Sequence, residues 1–181
     1  LALENYTVGA LVRRAIDGDQ YALKMLYTHY AVDMFNISFR MTGNREDAED
    51  VVQESFITAF KKLKQVKDPD FFGVWLRQIV IHNCVKLTKK RLNLQELPDH
   101  YEVPGEEDAG AIDMAQFAAV NEAIRRLPEG CRQVFLLYTS EDYTHKEIGA
   151  LLNIAESTSK SQYLRAKKLL LQQLKQGPWT R

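Results

Sequence analysis

The sequence predicts an all-α chain of two small helical domains joined by a flexible acidic linker. Apolar residues recur at three- and four-residue intervals on both sides of the chain's middle, the spacing of helices that bury one face, and the alternation of a strand occurs nowhere. Residues 92–117, "LNLQELPDHYEVPGEEDAGAIDMAQF", hold seven acids and neither Lys nor Arg. Pro98, Pro104, Gly105 and Gly110 punctuate that stretch. At roughly 20 residues without a sustained period it is too long for a loop inside a compact domain. The expected domains are 1–92 and 113–181, with 93–112 as the linker.

The elements follow in order. A short helix near 7–17 ends at Gly18, and a longer one near 20–42 ends at Gly43-Asn44. A third covers about 45–64. A fourth covers about 71–91, after the break at Pro69. Beyond the linker, helices are expected near 112–127, 129–140, 144–152 and 156–175, with Pro128 and Gly177-Pro178 as punctuation.

Composition narrows the function classes. Of 181 residues, 45% are hydrophobic, enough for packed cores, and 27% are charged, which argues against a membrane protein. No apolar run approaches the roughly 18 residues a span requires, and the first residues lack the basic-then-apolar order of a secretory signal. Cys84 and Cys131 are the only cysteines, and they read as small buried residues in a reducing cytosol rather than a zinc or disulfide framework. No P-loop and no H-x-x-x-H occurs, so no metal, nucleotide, other cofactor or small-molecule substrate is expected. The acidic side chains lie on expected exposed helix faces or in the linker, an arrangement unsuited to an enzyme. Net charge is zero, yet seven of the 24 acids sit in the acidic stretch, leaving 17 against 24 bases on the remainder. Basic segments are joined by an acidic one.

Three segments carry candidate chemistry. In "REDAEDVVQESFITAFKKL", Ala48, Val51, Val52, Phe56, Ala59, Phe60 and Leu63 form one apolar face. Opposite stand Glu46, Asp50, Gln53, Glu54 and Ile57. The helix macrodipole favours Glu46 and Asp47 in the first turn; Asp50 and Glu54 lie deeper, where a partner's arginines are the second explanation. "FFGVWLRQIVIHNCVKLTKKRL" passes from aromatic to basic. Phe72, Trp75, Ile79 and Val80 share a face, and Arg77, Asn83, Lys86 and Lys90 fall near an opposite stripe. Its basic end suits phosphates and equally suits a solvated helix C-terminus. The preceding "KQVKDPD" loop suits unpaired bases.

The third segment reads as a helix-turn-helix. Thr144 and Glu147 form a capping box, with Ile148, Leu151 and Leu152 inward, Gly149 small where the second helix crosses, and Ile154 plugging the turn. In the second helix Ser159, Tyr163, Ala166 and Leu170 face in, while Thr158, Lys160, Ser161, Gln162, Arg165 and Lys168 lie outside. Residues early in such a helix reach base edges in the major groove, and later bases hold phosphates.

These pieces, in this order, resemble bacterial RNA polymerase sigma factors of the extracytoplasmic-function group, over nearly the whole chain. "DAEDVVQESF" looks like the polymerase-binding core of the sigma-two domain, a helical bundle. "FFGVWLRQIVIHNCVKLTKKRL" is similar to the segment that handles the minus-ten element. "AIRRLPEGCRQVFLLYTSEDYTHKEIGALLNIAESTSKSQYLRAKKLL" is similar to the sigma-four helix-turn-helix that reads the minus-thirty-five element.

The resemblance implies partners and roles. Asp47, Asp50, Gln53 and Glu54 would meet the beta-prime clamp of core RNA polymerase, and the sigma-four domain its beta flap. Lys67, Asp68, Phe71 and Asn83 would engage the opened minus-ten strand of promoter DNA, with Lys86, Lys89, Lys90 and Arg91 on adjacent phosphates. Ser157, Thr158, Lys160, Ser161, Gln162, Arg165 and Lys168 would meet minus-thirty-five DNA. An anti-sigma factor, often membrane-bound, commonly holds the group inactive. The chain departs from the family where Ser159 replaces a usual apolar residue and Gln162 a frequent Arg. A buried Ser159 hydroxyl costs about 1–3 kcal/mol if unpaired.

Overall fold

The computed structural model describes residues 6–92 and 114–175. The 93–112 linker expectation lies outside the described residues. Those described form eight α-helices and no strand, and none of the helices is long and apolar enough to cross a membrane. The chain divides into two compact units, Leu1–Lys86 and Leu87–Arg181, so the division falls inside the fourth helix.

In the first unit α1 (Val8–Ile16) starts at Thr7, whose Oγ1 accepts from the Ala10 N–H at 3.2 Å. Helix α2 (Gln20–Thr42) is capped by Asp19, whose Oδ1 accepts from the N–H groups of Tyr21 and Ala22. Arg14 donates to the same carboxylate at 2.8 Å and, with those caps, holds its pKa below the ordinary value. Gly43 ends α2 at φ 71°, a left-handed conformation open to glycine without Cβ strain. Asn44 then caps α3 (Arg45–Lys61) by accepting from the Asp47 N–H. Two 3-10 turns, Leu63–Gln65 and Pro69–Phe71, lead into α4 (Phe72–Leu92). The predicted third helix ran to 64, but the 3-10 turn takes its last residues.

The first core gathers Leu11, Val12, Leu26, Met41, Val52, Phe56, Phe72, Leu76 and Val80, each at most 5% exposed. Burying a side chain of this size stabilises by about 1.5–3 kcal/mol, so the amphipathic pattern of α3 is enough to fix its rotation.

The second unit contains α5 (Met114–Arg125), α6 (Glu129–Thr139), α7 (His145–Leu152) and α8 (Glu156–Lys175). Leu127, Val134, Leu137, Ile148 and Ala166 build its apolar interior. Polar groups share it. Gln133, fully buried, donates to Thr88 Oγ1 at 2.8 Å, and Arg132 Nη1 donates to the carbonyls of Arg125 and Leu127 at 3.0 and 3.1 Å. The guanidinium thus satisfies carbonyls where α5 ends. Cys84 and Cys131 are both buried thiols, as expected from sequence.

Candidate polymerase and nucleic-acid interfaces

Helix α3 separates its two faces cleanly. Ala48, Val51, Val52, Ser55, Phe56 and Ala59 are buried. Glu46, Asp50, Gln53, Glu54 and Ile57 are exposed, and Asp47 is half-buried. An apolar side chain 55% exposed, Ile57, stands among these polar ones. Glu54 Oε1 lies 3.5 Å from Lys86 Nζ, an exposed ion pair that contributes little stability. The ridge is therefore a surface of acids, an amide and one isoleucine, suited to a basic protein partner.

The loop before α4 is closed by its own hydrogen bonds. Asp68 Oδ1 accepts from the Asp70 N–H at 3.0 Å, and the Asp68 carbonyl accepts from the Phe71 N–H at 3.0 Å. Lys67 and Asp68 are exposed, and Phe71 is 63% exposed beside the fully buried Phe72. The loop thus gathers Lys67, Asp68 and Phe71. Asn83 stands on α4, half-buried, and its Nδ2 donates to Ser55 Oγ on α3 at 2.9 Å. Part of its hydrogen-bonding capacity is spent inside the first unit. Lys86 is exposed in that unit. Lys89, Lys90 and Arg91 fall in the second, where Arg91 lies 3.7 Å from Glu129.

In the helix-turn-helix, Thr144 and Glu147 form the predicted capping box. Asn153 turns the chain at φ 58°, and Ile154 is half-buried in the turn. A Cβ on Gly149 would stand 2.9 Å from the Ile154 carbonyl, so the turn closes against a residue with no side chain. Ser159 is fully buried, but its hydroxyl is paired, at 2.9 Å from His145 Nδ1. The expected cost of an unpaired hydroxyl is not incurred. His145 also stacks on Tyr138, with centroids 4.4 Å apart. Burial, and secondarily Lys160, lower its pKa.

On α8, Ser157, Lys160 and Lys168 are exposed, and Thr158, Ser161 and Arg165 are half-buried. Lys160 pairs with Glu156 at 2.6 Å. Gln162 corrects the sequence reading. It is 7% exposed rather than outward, and its Oε1 accepts from Cys131 Sγ at 2.8 Å. A side chain so enclosed is part of the packing between α6 and α8. The amide finds a buried thiol 31 positions away, which local spacing does not reveal. Burial raises the pKa of that thiol, which keeps it a neutral donor. Asp70 is also missed from sequence; its Oδ1 accepts from the Gly9 N–H at 3.1 Å.

Two family models match the chain, Sigma-70 region 2 over residues 26–92 and Sigma-70, region 4, over residues 117–170, together about two thirds of its length. Among curated relatives, the extracytoplasmic-function (ECF) RNA polymerase sigma factor SigE of Mycolicibacterium smegmatis is 29% identical over 162 residues, 84% of this chain and 63% of that protein. The chain thus spans less than two thirds of SigE. It is 26% identical to the ECF RNA polymerase sigma factor SigW of Bacillus subtilis, over 91% of this chain and 95% of that one. The ECF RNA polymerase sigma-E factor of Salmonella typhimurium is 27% identical over 92% and 94%. Two solved structures share the fold. CnrH in complex with the cytosolic domain of CnrY has a TM-score of 0.51 and 23% identity, over 93% of this chain and 97% of that one. The sigma factor RpoE of Bartonella quintana, in complex with the anti-sigma factor NepR, has 0.51 and 18%, over 84% and 96%.

Proposed function

The chain belongs to the sigma-70 family, in its extracytoplasmic-function group, and from that premise we propose that it is a transcription initiation factor. It binds core RNA polymerase, directs it to specific promoters and assists their opening. The observation that carries this reading is the α3 ridge. Asp50, Gln53, Glu54 and Ile57 are exposed on a helix whose other face buries Ala48, Val51, Val52, Ser55, Phe56 and Ala59. A DNA reader acting without polymerase has no use for such a surface.

Residues 1–92 serve polymerase binding and the minus-ten element, 93–112 the connection, and 113–181 the minus-thirty-five element. The exposed Ser157, Lys160 and Lys168 and the half-buried Thr158, Ser161 and Arg165 meet minus-thirty-five DNA; Gln162 supports them from within. The factor regulates a reaction that polymerase catalyses, and acts where polymerase is, in the cytoplasm. Because the fold-related RpoE was solved with the anti-sigma factor NepR, an anti-sigma partner that blocks these surfaces belongs to the same reading.

Reconstitution with core polymerase tests it. The expected result is co-elution with core enzyme and promoter-specific run-off transcription from genomic DNA. Sequence-specific operator binding by the free chain, with no association with core enzyme, would establish an ordinary helix-turn-helix regulator instead.

A further inference from the structure

Helix α1 precedes the segment matched by the Sigma-70 region 2 model, which begins at residue 26. Its first turn is nevertheless joined to the loop before α4. The Gly9 N–H donates to Asp70 Oδ1 at 3.1 Å, across 61 residues of sequence. The N-terminal end of a helix has unpaired N–H groups and a positive dipole end, both suited to a carboxylate. Gly9 is buried, and a Cβ there would overlap the carboxylate, 2.9 Å from Asp70 Cγ. Glycine is thus the residue that lets the loop come this close. The loop itself is closed by Asp68, which accepts from the N–H groups of Asp70 and Phe71. Phe72, fully buried, anchors its C-terminal side. Between these fixings Lys67, Asp68 and Phe71 remain outward.

We propose that Asp70 is a positioning residue for promoter opening: its carboxylate, held on the Gly9 N–H, fixes the 67–71 loop to α1 so that Lys67, Asp68 and Phe71 meet the unpaired minus-ten strand in one conformation. This rests on the function proposed above. The physical reason is preorganisation. A loop that must order itself while capturing a single strand loses that ordering entropy from binding, whereas a loop already tethered does not. Helix α1 is then a strut for the strand-capturing loop as well as a packing element.

The test uses the full chain assembled on core RNA polymerase, with a promoter recovered by run-off transcription. The variants are Asp70→Ala, Asp70→Asn and Gly9→Ala. Opening is read from permanganate reactivity of unpaired thymines, discrimination from the ranking of minus-ten variants, and assembly from holoenzyme affinity. Asp70→Ala should assemble normally, open duplex promoter about tenfold less, as expected for losing a hydrogen bond to a charged group, and flatten the ranking. Asp70→Asn keeps an acceptor oxygen but not the charge, and should fall between Asp70→Ala and wild type, about threefold below wild type. Gly9→Ala displaces the carboxylate without altering Asp70 and should reproduce the Asp70→Ala result.

Wild-type opening and ranking in Asp70→Ala would overturn the tether and leave the function reading intact. A defect in Asp70→Ala with Gly9→Ala unaffected would overturn it in favour of direct contact between Asp70 and DNA. Failure of the wild-type chain to transcribe with core enzyme would overturn the function reading and the tether together.

Discussion

In residues 1–86, α3 buries Ala48, Val51, Val52 and Phe56 and turns Asp50, Gln53, Glu54 and Ile57 outward. In residues 87–181, α8 buries Ser159 and Gln162 alongside Ala166 and Leu170. Apart from Ser55, whose buried hydroxyl accepts from Asn83, the first helix sorts buried from exposed by residue type; the second does so less. On α3 a polar side chain that faces outward can be exchanged with little effect on the core. On α8 two polar side chains belong to the interior, where each has a partner, His145 for Ser159 and Cys131 for Gln162. Buried polar pairs of this kind restrict a helix to the register that satisfies them, because a missed pairing costs more than a made pairing gains. A recognition helix whose first turns must meet a groove benefits from such restriction.

The largest effect expected from this contrast is on α3. Exchanging Asp50 and Glu54 together for Lys reverses the charge of the ridge without touching a buried residue. We expect holoenzyme assembly to be abolished while the circular-dichroism helical signal stays unchanged. Co-elution of the double variant with core enzyme at normal affinity would remove the ridge from the polymerase contact. Loss of helical signal would instead show that recognition and packing are not separated on α3.

A smaller effect is expected on the outer side of α8. Lys160 is exposed near the helix N-terminus, and Arg165 is half-buried further along. Loss of a base contact costs roughly 1–3 kcal/mol and relaxes specificity at one position, whereas loss of a phosphate contact weakens all sequences alike and flattens the salt dependence. Lys160→Ala should therefore blur the ranking of minus-thirty-five variants, and Arg165→Ala should lower transcription evenly across them. Transcription of promoter variants at two salt concentrations distinguishes the two. Equal, sequence-independent losses would remove Lys160 from base reading, and no loss in either would undo the docking of this helix.

Local chemistry made much of this legible from sequence. Helix α2 spans the expected 20–42 and ends at Gly43, and the Thr144–Glu147 box starts α7 where expected. The apolar stripe of α3 was legible for the same reason, since period and burial coincide there. Gln162 was not, because a helical wheel sorts residues by polarity and this amide is polar yet inward. Its reason for being inward, Cys131, lies on another helix. Nor was Asp70 legible, since Asp-Pro-Asp before a helix already reads as ordinary loop and cap chemistry. Its partner is a backbone N–H in α1, and nothing in the side-chain pattern marks Gly9 as the site of approach.

The smallest expected effect sharpens the contrast, because it belongs to the polar interior of the second unit. Burial first, and Lys160 second, hold the His145 pKa below its ordinary value of 6.5, with Glu156 acting the other way. Tyr138 and Tyr163 pack against the ring, and Ser159 bonds its Nδ1. A histidine whose folded pKa is depressed binds its proton more readily in the unfolded chain, so stability falls as pH falls through 6.5 and levels off below the folded pKa. Glu147 and Glu156, whose pKa values lie below the ordinary 4.5, contribute stability that is lost only at lower pH. Between pH 7.5 and 5.5, α7 and α8 should therefore lose hydrogen-exchange protection, corrected for intrinsic rates, and His145→Gln should remove the dependence. The effect is modest because the ring is only partly buried, and solvent screens part of the cost. Equal protection of wild type at both pH values would mean that the α7–α8 junction accommodates an imidazolium as readily as a neutral ring, and that the polar interior is less restrictive than its hydrogen bonds imply.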